Sequence, residues 1–450
     1  REAGLNPYLF EMTNIRDQCS WVHMHAPEEA TRKAKDLVRM AVAKSNLLQP
    51  LYSSSVDVTQ SGLVIGGGIA GMTAALGLAN EGFPVYLVEK EDALGGLVRK
   101  LHYTLTGEDP QKCVDILAQK LHDHPLVTLY TGTEIEEVKG YIGNFTTTLS
   151  TGEELTHGIV IVATGGKEHI PETYLYGEDD RVVTQLELEQ MVAEGATEHA
   201  NTIAFINCVE SRDEPREYCS RICCSEAVKN ALKLKEQNPD TNIYVLYRDM
   251  RTYAFREKYY DEARERGVVF MRYDTETKPR LEKKEKNVKK PGKKKGKKND
   301  ILQLYVHDSV LNLDFVLNPD LVVLSTGISP PDNVPLSQML KVPLDKDGFF
   351  LEAHMKLRPV DFATDGISKD TMEAESIIAE VDKDLCSGCG ICVPLCPYNA
   401  RELDKEENIA KVNEVLCKGC GACIAACPSG ASQQRHFRDS QLRSMIEAFV

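Results

Sequence analysis

Two cysteine runs near the carboxyl end constrain this chain more than any other feature. Cys386-Ser-Gly-Cys389-Gly-Ile-Cys392-Val-Pro-Leu-Cys396-Pro397 is repeated 31 residues later as Cys417-Lys-Gly-Cys420-Gly-Ala-Cys423-Ile-Ala-Ala-Cys427-Pro428. Three thiolates on a tight glycine-containing loop hold one face of an iron–sulfur cubane, and the fourth of each run reaches across to the other cubane. Cys386, Cys389, Cys392 and Cys427 are therefore expected to hold one [4Fe–4S] cluster, and Cys417, Cys420, Cys423 and Cys396 the second. Zinc competes for Cys-x-x-Cys pairs, but a zinc site takes four ligands in two pairs and leaves the third and fourth cysteines of each run unexplained.

This is the tandem pattern of bacterial ferredoxins, a conductor of single electrons, so the rest of the chain must supply the chemistry. With 450 residues, 42% hydrophobic and 27% charged, it is long enough for roughly two to four cored domains. The net charge of −15 disfavours general nucleic-acid binding, which depends on Lys and Arg neutralising phosphates. Residues 1–10 lack an apolar signal-peptide core, and the weakly polar stretch 63–79 is too short and too glycine-rich for a membrane span. A cytoplasmic location is expected, where 14 cysteines argue for metal or redox sites over disulfides. A longer protein is expected upstream, because the first residue is Arg1.

Leu63-Val64-Ile65 runs into Gly66-Gly67-Gly68-Ile69-Ala70-Gly71 and an alanine-rich helix, and a second apolar strand, Val85-Tyr86-Leu87-Val88, ends in Glu89. That is a dinucleotide-binding unit: Gly66, Gly68 and Gly71 for the pyrophosphate, Glu89 for the adenosine ribose, with Lys90 beside it. Leu94-Gly95-Gly96 and the strand ending in Ala163-Thr164-Gly165 resemble motifs of the thioredoxin-reductase and glutathione-reductase flavoproteins. They select FAD over NAD. A second strand of this kind closes with Thr326-Gly327, and Asp365-Gly366 is expected to complete the FAD site.

In those flavoproteins the intervening segment binds NAD(P)H. Here the strand Thr202-Ile203-Ala204-Phe205-Ile206 is followed by Asn207-Cys208 and no glycine fingerprint. Nicotinamide binding is not expected there, since a pyrophosphate needs backbone N–H groups at a glycine turn. Cys208, Cys219, Cys223 and Cys224 stand in its place. Four thiols can ligate a third [4Fe–4S] cluster; a zinc site, a vicinal Cys223–Cys224 redox pair and buried structural thiols remain alternatives.

The chain resembles the HdrA family, the A-type flavin and iron–sulfur subunits of heterodisulfide reductases. The resemblance rests on Gly4-Leu5-Asn6-Pro7-Tyr8-Leu9-Phe10-Glu11-Met12, Ile15-Arg16-Asp17-Gln18-Cys19-Ser20-Trp21, the glycine motif, Tyr141-Ile142-Gly143-Asn144-Phe145, the cysteines from 208 to 224 with Ser211-Arg212-Asp213, Arg251-Thr252-Tyr253-Ala254-Phe255-Arg256-Glu257, Asp361-Phe362-Ala363-Thr364-Asp365-Gly366 and the ferredoxin tail. It implies one FAD in a thioredoxin-reductase-like core ringed by [4Fe–4S] clusters, including one at Cys208. It also implies flavin-based electron bifurcation or confurcation between a two-electron donor, a disulfide-type acceptor and low-potential ferredoxin. The implied partners are disulfide-reducing subunits, an electron-donating hydrogenase or formate dehydrogenase or a small iron–sulfur adaptor, and ferredoxin. Cys19 resembles the last ligand of an N-terminal cluster whose other cysteines would lie upstream, with a buried thiol as the alternative. After Ile367 the strand, turn and long helix usual in such flavoproteins are missing. A true deletion would remove a helix N-terminus that supports reduced flavin.

The expected architecture is α/β, a thioredoxin-reductase-like pair of Rossmann domains with a ferredoxin domain. Residues 1–49 are the remnant of an N-terminal cluster domain, 61–178 and 318–367 the FAD domain, and 179–317 an inserted dinucleotide-type domain carrying a cluster. A helix-like linker at 368–379, a ferredoxin domain at 380–433 and a C-terminal helix at 434–450 follow. Cys113 is read as core. The lysine-rich run 283–298, with ten lysines, is read as an exposed hairpin loop able to touch an acidic partner rather than a nucleic-acid tail. Two other readings remain: a stand-alone NAD(P)H-dependent flavin reductase and a passive iron–sulfur adaptor.

Overall fold

The computed structural model describes residues 4–52, 55–141, 143–285, 300–351, 371–373 and 376–449. The chain divides into two compact units: residues 1–59, 141–144 and 364–450 form one, and residues 60–140 and 145–363 the other. Asp365, Gly366 and the 286–298 part of the lysine run lie outside the described residues.

The larger unit holds two parallel sheets. The first orders Val127–Tyr130, Val85–Val88, Gly62–Ile65 and Ile159–Val162, all parallel. Leu63 and Val64 are fully buried, as the unbroken apolar run of a strand with parallel neighbours on both edges requires. The helices Ile69–Asn80 and Pro110–Asp123 connect these strands, and Asp109 caps the second by accepting the N–H groups of Gln111 and Lys112.

The second sheet orders Val182–Thr184, Leu321–Ser325, Thr202–Asn207, Asn242–Tyr247 and Val269–Arg272, again all parallel. Gln185–Ala193 opens with a capping box between Thr184 and Glu187. Ile203, Phe205, Val245 and Val323 fill the core beneath the helix Cys223–Gln237. Leu321–Ser325 was expected to open the second half of the FAD domain. It lies instead between two strands of the inserted sheet, so the boundary expected at 318 moves beyond Ser325. Arg280–Glu285 and Asp300–Asp308 pair antiparallel on either side of the lysine run, which begins inside the first of them. Cys113, read as core, is exposed on its helix, because Val114 and Leu121 take the inward face.

In the smaller unit the helix Pro27–Ser45 packs along Asp439–Phe449. Lys44 is buried there, paired to Glu11 at 2.8 Å and 4.5 Å from the Phe437 ring. The expected helix-like linker is corrected: Thr371–Glu373 is a strand antiparallel to Ser55–Asp57. Ser432–Gln434 pairs with Ala379–Val381, so the ferredoxin-like segment runs past 433 and the final helix begins only at Asp439.

Beside the first sheet, His157 is fully buried. Its Nδ1–H donates to the Ile159 carbonyl at 3.0 Å and its Nε2 accepts from Thr147 Oγ1 at 2.8 Å. Burial holds its pKa down at about 4, against an ordinary 6.5. The unfolded chain takes up this proton near 6.5 and the folded chain only near 4, so the stabilisation is present above pH 6.5 and is lost as pH falls between those values. Thermal unfolding should therefore drop more steeply from pH 6.5 to 4 in the native chain than in a His157→Gln variant; parallel profiles would refute this.

Candidate functional site

The glycine turn is built by close approach. A Cβ on Gly71 would fall 1.8 Å from the Gly66 carbonyl oxygen, and one on Gly66, whose φ is +110°, 2.3 Å from the Ala163 carbonyl oxygen. Only glycine lets the helix, the turn and the neighbouring strand end meet. Gly68 faces open space, and the helix that follows has no side-chain cap, so its first N–H groups are free to meet a pyrophosphate. The residues present fit a dinucleotide.

Glu89 is buried at the end of its strand. Oε2 accepts the Gly67 N–H at 2.5 Å and Oε1 the Glu91 N–H at 2.8 Å. The carboxylate thus locks the turn, and each oxygen keeps a lone pair for a ribose hydroxyl. Gly95 donates its N–H to the Gly67 carbonyl at 2.8 Å, and Gly96 lies against Gly68. Thr164 donates to Asn333 Oδ1 at 3.1 Å, Gly165 is open at φ +67°, and Lys90 is exposed. Thr326 and Gly327 go elsewhere. They follow the Leu321–Ser325 strand, where a Cβ on Gly327 would meet Ser220 Oγ at 2.6 Å and Cys223 Sγ at 3.7 Å.

That end of the inserted sheet is its topological switch point: successive strands proceed to one side of Thr202–Asn207, and Leu321–Ser325 returns on the other. Ligands of open parallel sheets bind at such points. Here Cys208, Cys219, Cys223 and Cys224 line one small cavity with Arg212, Arg221, Arg251 and Asp249. Cys208, Glu210, Arg212 and Arg221 all have left-handed backbones, with φ from 48° to 67°, a density of strain characteristic of functional loops. Arg212 Nη1 stands 4.0 Å from Cys208 Sγ and Nη2 is paired to Asp249 at 2.6 Å. Burial pushes the thiols of Cys208 and Cys223 up and that of Cys224 to about 11, so a metal that binds here must displace protons.

In the ferredoxin-like segment Cys396, Cys417, Cys420 and Cys423 line a second small cavity. The Ala379 N–H donates to Cys417 Sγ at 3.4 Å, and the Ala410 N–H, 31 positions on, to Cys386 Sγ at 3.5 Å. Cys389 is exposed and Cys392 buried. The Cys427 thiol is partly buried, which raises its pKa, but the Ser432 N–H and Ser429 outweigh this and hold it down at about 7. Arg401 Nη1, buried in the cavity wall, has no acceptor among the described residues. The site therefore fits an electron-rich occupant. Cys19 is buried and donates to the Ala30 carbonyl at 2.8 Å.

The profile of the family described as 4Fe-4S dicluster domain matches residues 385–431, and that of pyridine nucleotide-disulphide oxidoreductase matches 61–206. One of the A-type iron-sulfur subunits of CoB--CoM heterodisulfide reductase in Methanopyrus kandleri is 37% identical, covering 99% of this chain and 86% of that protein. The chain belongs to the HdrA family of heterodisulfide reductase subunits. Another member, the A-type subunit of the H(2):CoB-CoM heterodisulfide,ferredoxin reductase of Methanothermobacter thermautotrophicus, is 36% identical over 99% of this chain and 85% of its own length. The Methanopyrus alignment spans 586 positions, more than the 450 residues here, so that relative carries internal stretches this chain lacks. Among solved structures, Lactococcus lactis thioredoxin reductase superposes with a TM-score of 0.45 at 16% identity, over 67% of this chain and 87% of its own.

This HdrA family member is thus a flavin and iron–sulfur oxidoreductase, with an α/β flavoprotein core and a dicluster segment. Among its described residues no helix is long and apolar enough to cross a membrane. Sequence reasoning assigned no role to the cations: Arg212 and Arg251 lie in stretches that carry the resemblance, and Arg401 lies in none of them. For Arg401 the signal was its place 31 positions before Ser432 in the internal repeat.

A Gly71→Val variant should bind FAD more weakly by about 1–3 kcal/mol, about five- to 150-fold in affinity, while its iron content is unchanged. Native flavin retention in that variant would show that the turn does not hold the dinucleotide.

Proposed function

We propose that this chain is the electron-distributing component of a multi-subunit oxidoreductase and performs flavin-based bifurcation or confurcation. The four-thiol cavity at the switch point carries this reading. In a flavoprotein with a nicotinamide site, the strand at that place would end in a glycine turn; here it ends in Cys208. The lack of a pyrophosphate cradle disfavours a stand-alone NAD(P)H-dependent reductase.

FAD, when bound, supplies the exchange between electron pairs and single electrons. Gly66, Gly68 and Gly71 cradle its pyrophosphate, Glu89 holds both the turn and the ribose, and Thr164, Gly165, Gly95 and Gly96 line the remainder. Cys208, Cys219, Cys223 and Cys224 hold one [4Fe–4S] cluster. Cys386, Cys389, Cys392 and Cys427 hold a second, and Cys396, Cys417, Cys420 and Cys423 a third. Zinc is disfavoured because it takes four ligands in two pairs and leaves the third and fourth cysteines of each ferredoxin-like run unexplained. Arg212 and Arg251, held by Asp249 at 2.6 and 3.5 Å, supply positive charge where thiolates must form.

The names of the relatives supply the acceptors: heterodisulfide and ferredoxin appear together in that of the Methanothermobacter protein. Partner subunits contribute the donor and the disulfide-reducing centre, and the assembly works in the cytoplasm. Cys19 is a candidate ligand of a further cluster, with a buried thiol bonded to the Ala30 carbonyl as the alternative reading.

Anaerobic iron, acid-labile sulfide and FAD quantitation tests the reading. About twelve iron atoms per FAD are expected for three cubanes, and about eight in a Cys224→Ser variant. About eight iron atoms and no flavin in the native chain would leave a passive adaptor. With partners present, ferredoxin reduction should require the disulfide; ferredoxin reduced equally well without it would rule out bifurcation.

A further inference from the structure

We propose that Arg401 is the internal counter-ion of the two ferredoxin-like centres and raises the reduction potential of the one at Cys396, Cys417, Cys420 and Cys423 above that of its mate. This rests on the ligand assignment proposed above.

Arg401 is 5% exposed. A buried guanidinium is costly unless a negative charge compensates it, and no carboxylate forms an ion pair with it among the described residues. Its partners are of another kind. Nη2 donates to Cys423 Sγ at 3.0 Å and to Ser432 Oγ at 3.3 Å, while Nη1 is buried in the cavity wall with no acceptor among the described residues. A cluster held by four thiolates is the negative charge that satisfies this arrangement, and reduction adds another.

The internal repeat makes the effect one-sided. Arg401 follows Cys396 by five residues, and Ser432 follows Cys427 by five. Equivalent positions of the two halves thus meet, and only one carries a cation. Its hydrogen bond goes to Cys423, and hydrogen bonds to sulfur together with local charge set cluster potentials. The Cys423 centre is therefore where an electron entering this segment rests.

The test is an EPR-monitored redox titration of the full chain, reconstituted anaerobically, with iron and sulfide measured on the same samples. Arg401→Gln should disfavour reduction of the higher-potential ferredoxin-like centre about tenfold, or about 59 mV for one electron, and narrow the gap between the two. Arg401→Lys, which keeps the charge, should recover most of it. Unchanged potentials in Arg401→Gln with full iron would overturn the proposal, as would an equal drop in Arg401→Lys. If Arg401→Gln loses its iron, native potentials in an iron-replete Arg401→Lys support the counter-ion role and depressed ones overturn it. Fewer than about eight iron atoms in the native chain would instead remove the ligand assignment.

Discussion

Gathering thiolates inside a protein is the constraint around which the rest of this structure is arranged. Sulfurs sharing one low-dielectric cavity resist ionisation, and burial pushes the thiols of Cys208, Cys223 and Cys224 up. Unit charges about 4 Å apart interact by on the order of 4 kcal/mol at the dielectric typical near a protein surface, so the placement of even one guanidinium matters. The chain answers differently in its two units. In the inserted sheet, partly exposed arginines are shared out by Asp249. In the ferredoxin-like segment, one arginine is buried outright and backbone N–H groups supply the remainder.

The two parallel sheets solve a common geometric problem with opposite electrostatics. Each ends a buried apolar strand, Gly62–Ile65 or Thr202–Asn207, at a point where the chain turns sharply into a loop. In the first, absent side chains let backbone and helix N-terminus approach an anion. In the second, cysteines occupy the corresponding space and the helix Cys223–Gln237 begins with two of them. The backbone strain at Cys208, Glu210 and Arg212 is what turning such a loop without glycine costs.

Much of this was legible in the residues. The apolar runs 63–65, 85–88 and 159–162 announced strands, which pair in one parallel sheet, and Cys396, Cys417, Cys420 and Cys423 line one cavity. Leu321–Ser325 was misplaced because a Thr-Gly strand end looks alike in either sheet; only hydrogen-bond pairing with Ile203 and Val182 neighbours decides it. Cys113 was misread because a helix with few apolar positions offers two plausible inward faces, and Val114 won. The arginines were invisible because charge compensation is a three-dimensional relation: Arg212 and Asp249 lie 37 residues apart.

The fourth wall of the Cys423 cavity is Cys396, from the preceding run. A chain leaving the ribosome carries that wall well before the other three exist. That cavity cannot close until the second run has been synthesised and has folded back on the first, so its lining joins two stretches of chain made at different times.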